Sequence, residues 1–348
     1  MKVYQTKEIK NIALVGAAKS GKTTLAEAML FEGGKINRRG SVDDKNTVSD
    51  YRPIELERQN SVFSTVMHTE FNGKKINIID APGFDDFVGE VIASLSVADT
   101  AVIMLNAANG VEVGAEIAWM NALKKNTPVM FTINHLEHDN SNFDELIAQM
   151  KGLFGNLAVC QYPVNVGPGF NSVIDLLKMK MFKFPNDGGK AEILDIPDSE
   201  KDKAEEMHAT MVEDLASSDE SLMEQFFEAG TLTEDEMRSA LQVGLRTREL
   251  FPVLCIGSKH NMGVNRLLEF ISNNAPSPDD MPPAKSVKEN ELKYDPAAPT
   301  AAFVFKTTIE PHFGEVSFFK VYNGEITEGA DLINSKTGTK ERLGQLYA

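Results

Sequence analysis

Residues Gly16 to Thr23 read Gly-Ala-Ala-Lys-Ser-Gly-Lys-Thr, and this octapeptide constrains the fold more than any other part of the chain. It fits G-x-x-x-x-G-K-[ST] without a gap. The apolar run Asn11–Val15 before it has strand character, and Lys22–Phe31 after it reads as a helix. Strand, Gly-rich turn and helix in that order are the setting of a P-loop. Glycine allows the successive N–H groups of Gly16, Ala17, Ala18, Lys19, Ser20, Gly21, Lys22, Thr23 and Thr24 to turn inward around phosphate oxygens. The helix N-terminus adds positive potential. Lys22 is expected to reach the β- and γ-phosphates, and the Thr23 hydroxyl to ligate Mg²⁺. The plain alternative is a glycine turn that does no more than open a helix.

Beyond the turn, short apolar runs alternate with amphipathic ones. Val62–Phe71 and Lys75–Asp80 flank Asn72-Gly73, a two-residue hairpin signal. Thr100–Asn106 and Val129–Asn134 have the unbroken apolar character of buried strands. Val88–Val97, Gly114–Lys125 and Phe143–Phe154 read as helices. Repeated βα units predict an α/β domain with a mostly parallel sheet and helices on both faces. From about Gly167 to Leu250 the rhythm changes to a mainly helical, acidic insertion, in which Thr233-Glu234-Asp235-Glu236 is a capping-box signal. Asn186–Gly189 in it is turn-like. Phe251–Ile256 restores a core strand and Val264–Ser272 a helix. The expected division is a first domain over 1–275 carrying the insertion, a Pro- and charge-rich linker over 276–299, and an all-β piece over 300–348. That piece reads as the start of a small barrel, with Ala301–Ile309 and Val316–Val321 as strands, Asn323-Gly324 as a hairpin turn, and a C-terminus that looks cut.

Charge narrows the function classes. Lys plus Arg number 35 against 51 Asp plus Glu, a net charge of −16. Such a surface repels nucleic acid and anionic membranes, so a nucleic-acid contact would need a local patch that the sequence does not display. No apolar stretch is long enough to span a bilayer, and the run after Met1–Lys10 is too short for a signal peptide. The two cysteines, Cys160 and Cys255, sit in apolar runs and read as buried free thiols. The expected location is the cytoplasm.

Three further motifs sit where strands end. Asp80-Ala81-Pro82-Gly83 closes Lys75–Asp80. In a P-loop nucleotidase such an Asp holds Mg²⁺, usually through water, and the Gly offers its N–H to the γ-phosphate. Asn134-His135-Leu136-Glu137 closes Val129–Asn134. A carboxylate there has two acceptor oxygens for guanine N1–H and the 2-amino group, donors that adenine lacks at that edge. The tetrapeptide alone fits an ordinary strand exit equally well. Gly257-Ser258-Lys259 closes Phe251–Ile256, where small residues let backbone N–H groups approach a base. By itself it is uninformative.

P-loop, Asp-x-Pro-Gly, Asn-x-x-acid and a small-residue loop, in this order, are the layout of a GTPase, and the chain resembles the translational GTPases of the elongation factor G family. The matching text includes Ser20–Leu25, Ile78–Gly83, Phe87–Glu90, Gly110–Glu116, Pro252–Cys255, Pro276–Pro278 and Phe318–Gly324. The resemblance covers nearly the whole chain. It implies GTP or GDP and Mg²⁺ as cofactors, GTP hydrolysis, and the ribosome as partner of the intact protein. It also implies metal-facing roles for Thr23, Asp80 and Ser61, and two switch segments, Asn37–Ser61 and Ala81–Gly89, ordered by the γ-phosphate and released by hydrolysis.

Three departures from the family pattern bear on activity. The family commonly carries His after Asp-x-Pro-Gly, where it helps to place the attacking water. Here it is Phe84, which has neither donor nor acceptor. Asn-Lys-x-Asp becomes Asn134-His135-Leu136-Glu137, and Arg-Gly-Ile-Thr becomes Arg58-Gln59-Asn60-Ser61. The catalytic set is therefore Lys22 and Gly83, with Phe84 at the place of the usual His, and hydrolysis is expected to be slow. The rival expectation is a GTP-dependent ribosome-binding switch that hardly hydrolyses at all. An ATP-using P-loop enzyme accounts for the P-loop alone.

Overall fold

The protein is described by a computed structural model over residues 3–347, except 187, 218–219, 287–290, 293 and 311–312. It divides into two compact units, Met1–Asp280 and Met281–Ala348.

The first unit begins with β1 (Ile9–Gly16), the P-loop turn and α1 (Lys22–Glu32). A largely irregular segment follows, broken by the short α2 (Pro53–Arg58). It leads into the hairpin of β2 (Thr65–Phe71) and β3 (Lys74–Asp80). Asn72 and Gly73 turn that hairpin with φ of 46° and 76°, the left-handed pair such two-residue turns require. Then come α3 (Val88–Leu95), β4 (Thr100–Asn106), α4 (Val113–Lys125), β5 (Val129–Asn134), α5 (Phe143–Phe154) and β6 (Leu157–Val159). One residue past β6, at Cys160, the chain leaves for a second sheet of β7 (Gln161–Pro163), β8 (Ser172–Asp175), β9 (Lys180–Lys183) and β10 (Glu192–Leu194). Three helices succeed it, α6 (Lys201–Ala216), α7 (Glu220–Ala229) and α8 (Glu234–Thr247). β11 (Phe251–Cys255) then returns to the main sheet and α9 (Val264–Asn274) closes the unit.

The main sheet runs β2-β3-β1-β4-β5-β11-β6, with all pairs parallel except β2 against β3. From β1 the chain moves outward to β3 and then back across to β4. Right-handed crossovers therefore send α1 to one face and α3 and α4 to the other. Accordingly α1 packs with α9, and α3 with α4. The reversal at β1 opens a crevice beyond the carboxyl ends of the strands, where the P-loop lies. β4 and β5 are buried at every position, as their unbroken apolar runs require. Trp119, Phe131, Phe154 and Phe251 meet with ring centroids 4.7 to 6.5 Å apart, fastening α4 and α5 to β5 and β11.

The insertion adds what sequence patterning did not reveal, the four-stranded antiparallel sheet β10-β9-β8-β7 ahead of its helices. Its helices follow the pattern. In α8, Met237, Ala240, Leu241, Gly244 and Leu245 form the buried stripe, and Thr233 and Glu236 form the capping box. Asp175 on β8 pairs with Arg266 on α9 at 2.6 Å, with both side chains largely buried, which ties the small sheet to the main body. Cys160 and Cys255 are buried free thiols, with burial pushing both pKa values up. Asp187, within the turn expected at 186–189, lies outside the described residues.

The second unit contains the pairs β12 (Ala284–Lys285) with β13 (Glu291–Leu292), β14 (Ala301–Glu310) with β15 (Gly314–Asn323), and β16 (Asp331–Ile333) with β17 (Lys340–Arg342). Residues 287–290 and 293 of the expected linker lie outside the described ones. The expected hairpin at Asn323-Gly324 is not one. β15 turns back on β14 instead, and the Gly324 N–H bonds Asp295 O at 3.0 Å. Glycine stands there for close approach, since a β-carbon would come within 2.6 Å of Ala298 O.

Candidate functional site

The P-loop has the backbone its glycines permit. Gly16, Lys19 and Gly21 all have positive φ, at 128°, 61° and 96°. A β-carbon on Gly16 would come within 2.5 Å of Met104 O, and one on Gly21 within 2.2 Å of Asn134 Nδ2. Ala17, Ala18 and Ser20 complete the loop, and Thr23 and Thr24 follow Lys22 into the first turn of α1. Lys22 is buried, and its ammonium donates to the carbonyls of Gly16 at 3.0 Å and Ala17 at 2.7 Å. Burial lowers its pKa to about 8 against the opposing pull of Asp80.

Around Thr23 lies a cluster of hard oxygen donors. Its hydroxyl donates to Asp80 Oδ2 at 2.7 Å and lies 3.1 Å from the Ser61 hydroxyl. Ser49 donates to the same Asp80 oxygen at 2.7 Å. Asp50 stands beside them, and burial and the Asp80 charge raise its pKa to about 7. Asp80 is shifted upward by burial as well. Asp50 Oδ1 and Asp80 Oδ1 are buried without a hydrogen-bond partner. Two unpartnered carboxylate oxygens among three hydroxyls are a donor set suited to a small hard dication such as Mg²⁺.

Ser49 and Asp50 were not anticipated. They lie in a polar stretch with no periodicity, and their place comes from long-range contacts. Glu27, buried on α1, accepts from Gly40 N at 2.8 Å and from Val48 N. Glu55 accepts from Val62 N and Phe63 N at 3.0 Å each. An acidic residue in an otherwise uncharged helix face, as Glu27 is, was the available signal. Gln59 caps α2 in the left-handed region at φ 52°, ψ 41°, the conformation a glycine takes most readily.

Gly83 presses against the P-loop. A β-carbon there would come within 2.4 Å of Lys22 Nζ and 2.6 Å of Ala18 N. Phe84 follows at 41% exposure, beside a crevice bordered by Val88, Ile117 and Ala118.

At the far end of the crevice, Asn134 is fully buried. It donates to Ser20 O and Ser258 Oγ and accepts from Ser258 N, each at 2.9 Å, and so joins the P-loop to the Gly257–Lys259 loop. Arg39 reaches the same loop from the irregular segment, donating to Ser258 O at 3.2 Å and Lys259 O at 3.1 Å. The His135 ring meets Lys19 O through Nε2 at 3.2 Å, and burial lowers its pKa. Both Glu137 oxygens are buried without a hydrogen-bond partner. A β-carbon on Gly257 would lie 3.6 Å from Glu137 Oε2. The structure thus brings the P-loop, Asp80, Gly83, Asn134, Glu137 and Ser258 to one edge of the sheet.

A parallel sheet with a P-loop at its switch point and Asp-x-x-Gly and Asn-x-x-acid loops on the adjoining strand ends defines a P-loop GTPase domain. The family model of the Elongation factor Tu GTP binding domain matches residues 7–277, and that of Elongation factor G domain 2 matches residues 299–348. The chain belongs to the elongation-factor family of GTP-binding proteins, on the elongation factor G side of it. It is 33% identical over 349 residues to Elongation factor G of Thermotoga sp. (strain RQ2) and of Thermotoga maritima, a match covering 97% of this chain and 50% of each relative. A crystal structure from Thermus thermophilus superposes with a TM-score of 0.86 at 29% identity, over 97% of this chain and 48% of that one. The chain thus spans about half the length of the relatives it matches. Among the described residues, no helix is long and apolar enough to cross a membrane.

Proposed function

We propose that the chain binds GTP and GDP with Mg²⁺ and that hydrolysis switches the contact of the whole protein with the ribosome. The observation that carries this is the oxygen cluster of Thr23, Ser49, Asp50, Ser61 and Asp80, with two unpartnered carboxylate oxygens beside the buried Lys22. Backbone N–H groups from Gly16 to Thr24 orient the phosphates, and Lys22 exchanges its two carbonyl partners for phosphate oxygens. Thr23 and Asp80 hold the metal, with Ser61 and Asp50 completing its surroundings. Bound there, Mg²⁺ neutralises charge on the β- and γ-phosphates.

Gly83 supplies the switch. Its close packing on Lys22 and Ala18 leaves no room for a γ-phosphate between them, so a triphosphate shifts segment 81–89 to where the Gly83 N–H meets the γ-phosphate and orders it, and hydrolysis releases it. Glu137 accepts from guanine through its two free oxygens, Asn134 fixes the loops that flank the base, and His135 covers the ring in place of the family's lysine stem. Gly257, Ser258 and Lys259 bound the base on its other side.

Phe84 excludes water without orienting it, and the nearest alternatives, Asp85 and Asp86, add negative charge beside a triphosphate. Hydrolysis is therefore slow. The same observation favours the second reading, a binding switch with almost no turnover. A single-turnover GTP assay on the full-length protein, with and without ribosomes, separates the two. Phe84→His raises ribosome-stimulated turnover and leaves GDP affinity nearly unchanged, while Lys22→Ala abolishes nucleotide binding. Turnover of the unmodified protein as fast as a His-bearing elongation factor G would overturn the assignment to Phe84.

A further inference from the structure

The loop after β5 holds three metal-ligating side chains, His135, Glu137 and His138, with one donor atom of each lying within 4.8 Å of the others. His138 is exposed and has no part in the nucleotide reading. The contact that His135 makes identifies its tautomer. Its Nε2 lies 3.2 Å from Lys19 O, and a carbonyl only accepts, so Nε2 carries the hydrogen. The other nitrogen, Nδ1, then presents a lone pair. It faces Glu137 Oε1 at 3.9 Å, acceptor against acceptor. Nδ1 and both Glu137 oxygens are buried without a hydrogen-bond partner.

A cation between them answers all three atoms at once. Bonds from zinc to imidazole nitrogen and carboxylate oxygen are about 2.0–2.2 Å, so two donors on a tetrahedral ion lie about 3.4 Å apart. The Nδ1–Oε1 separation of 3.9 Å has to close by about 0.5 Å. His138, exposed and with a donor atom within 4.8 Å of the other two, supplies the third ligand. Two imidazoles and one carboxylate favour a borderline transition ion over Mg²⁺, which takes oxygen ligands.

We propose that His135, Glu137 and His138 form a binding site for a zinc-type dication, with water completing its coordination, and that the bound cation competes with the guanine base for Glu137. The competition rests on the nucleotide reading above, whereas the cation site rests on the three side chains alone.

The test is calorimetric titration of Zn²⁺ into the nucleotide-free protein with Mg²⁺ in excess to hold the Thr23–Asp80 site. Absorption spectra of Co²⁺ in the same protein report imidazole ligation. One saturable equivalent is expected. Losing a ligand in His138→Ala or Glu137→Gln weakens it by about tenfold or more, a loss at least as large as that from disturbing an outer-shell partner. His68→Ala, on the β2 edge strand, leaves it unchanged. Excess GDP with Mg²⁺ raises the apparent Zn²⁺ dissociation constant. Absence of saturable binding, or binding unmoved by both ligand variants, would overturn the cation site. Zn²⁺ binding that needs His138 and Glu137 but is indifferent to GDP would uphold the site and overturn the placement of the base.

Discussion

Replacing Asn134 with alanine is expected to loosen the nucleotide edge of the sheet more than any loss of volume accounts for. Asn134 is fully buried and makes three bonds of 2.9 Å, to Ser20 O, Ser258 Oγ and Ser258 N. The Ser258 hydroxyl oxygen, which accepts from Asn134, loses one donor and can rotate. The Ser20 carbonyl and Ser258 N–H cannot, and each buried group left unpaired costs about 1–3 kcal/mol. The expected loss is about 3–4 kcal/mol once modest relaxation is allowed for. Trp119 is the chain's one tryptophan and packs 5.9 Å from Phe131 on the strand that ends in Asn134, so its fluorescence reports unfolding of this region. With a urea slope of about 3 kcal/mol/M, the midpoint of the nucleotide-free protein falls by about 1 M. Ser258→Ala combined with Asn134→Ala should fall short of additivity by about 1 kcal/mol, because the two share a bond. A loss below about 1 kcal/mol, or an additive cycle, would refute the claim that Asn134 holds the P-loop and the Ser258 loop together.

Two other perturbations follow from the irregular segment between α1 and β2. Gln59→Gly relieves a left-handed backbone at a cost in unfolded-chain entropy, and should stabilise the protein by about 0.5–1 kcal/mol in the same urea assay; a destabilised variant contradicts this. The Asp50 carboxyl is raised from 3.8 to about 7 by burial and by Asp80. The folded state therefore keeps a proton that the unfolded chain sheds, and this contribution to stability is lost as pH rises from the unfolded pKa through about 7. Asn at this position carries no charge, so the stability gain of Asp50→Asn over the parent should grow from pH of about 4 to about 7 and level off above it, measured by thermal unfolding without nucleotide. A pH-independent difference contradicts the shift.

The legible parts of this protein are those where chemistry and chain order coincide. The P-loop was readable because strand, turn and helix are contiguous, and Asn72-Gly73 because a two-residue turn leaves few choices of backbone. Glu137 was readable through its distance from Asn134, yet its lone-pair confrontation with His135 was not, since that depends on a ring orientation set by Lys19 O. The Ser49 and Asp50 side chains reach the oxygen cluster through long-range contacts, with Glu27 on α1 holding the segment by two N–H groups and Thr65 donating to Ser49 O. Nothing local marks them. The sheet of β7 to β10 leaves no mark in the sequence because its strands are three or four residues long, too short for alternation to show. Asn323-Gly324 misled in the opposite sense. It is a sound hairpin signal, but Gly324 serves a close backbone approach to Ala298 and Thr300.

The most direct test of the account is a calorimetric comparison of GDP, GTP and ATP on the unmodified protein with Mg²⁺ present, repeated with Glu137→Ala. A carboxylate reading two guanine donors discriminates by about 1–3 kcal/mol, by analogy with bidentate base contacts, which is about five- to over a hundredfold in affinity. The account predicts that both guanine nucleotides bind more tightly than ATP by such a factor and that Glu137→Ala erases most of the difference. Equal affinity for GTP and ATP in the unmodified protein would contradict it.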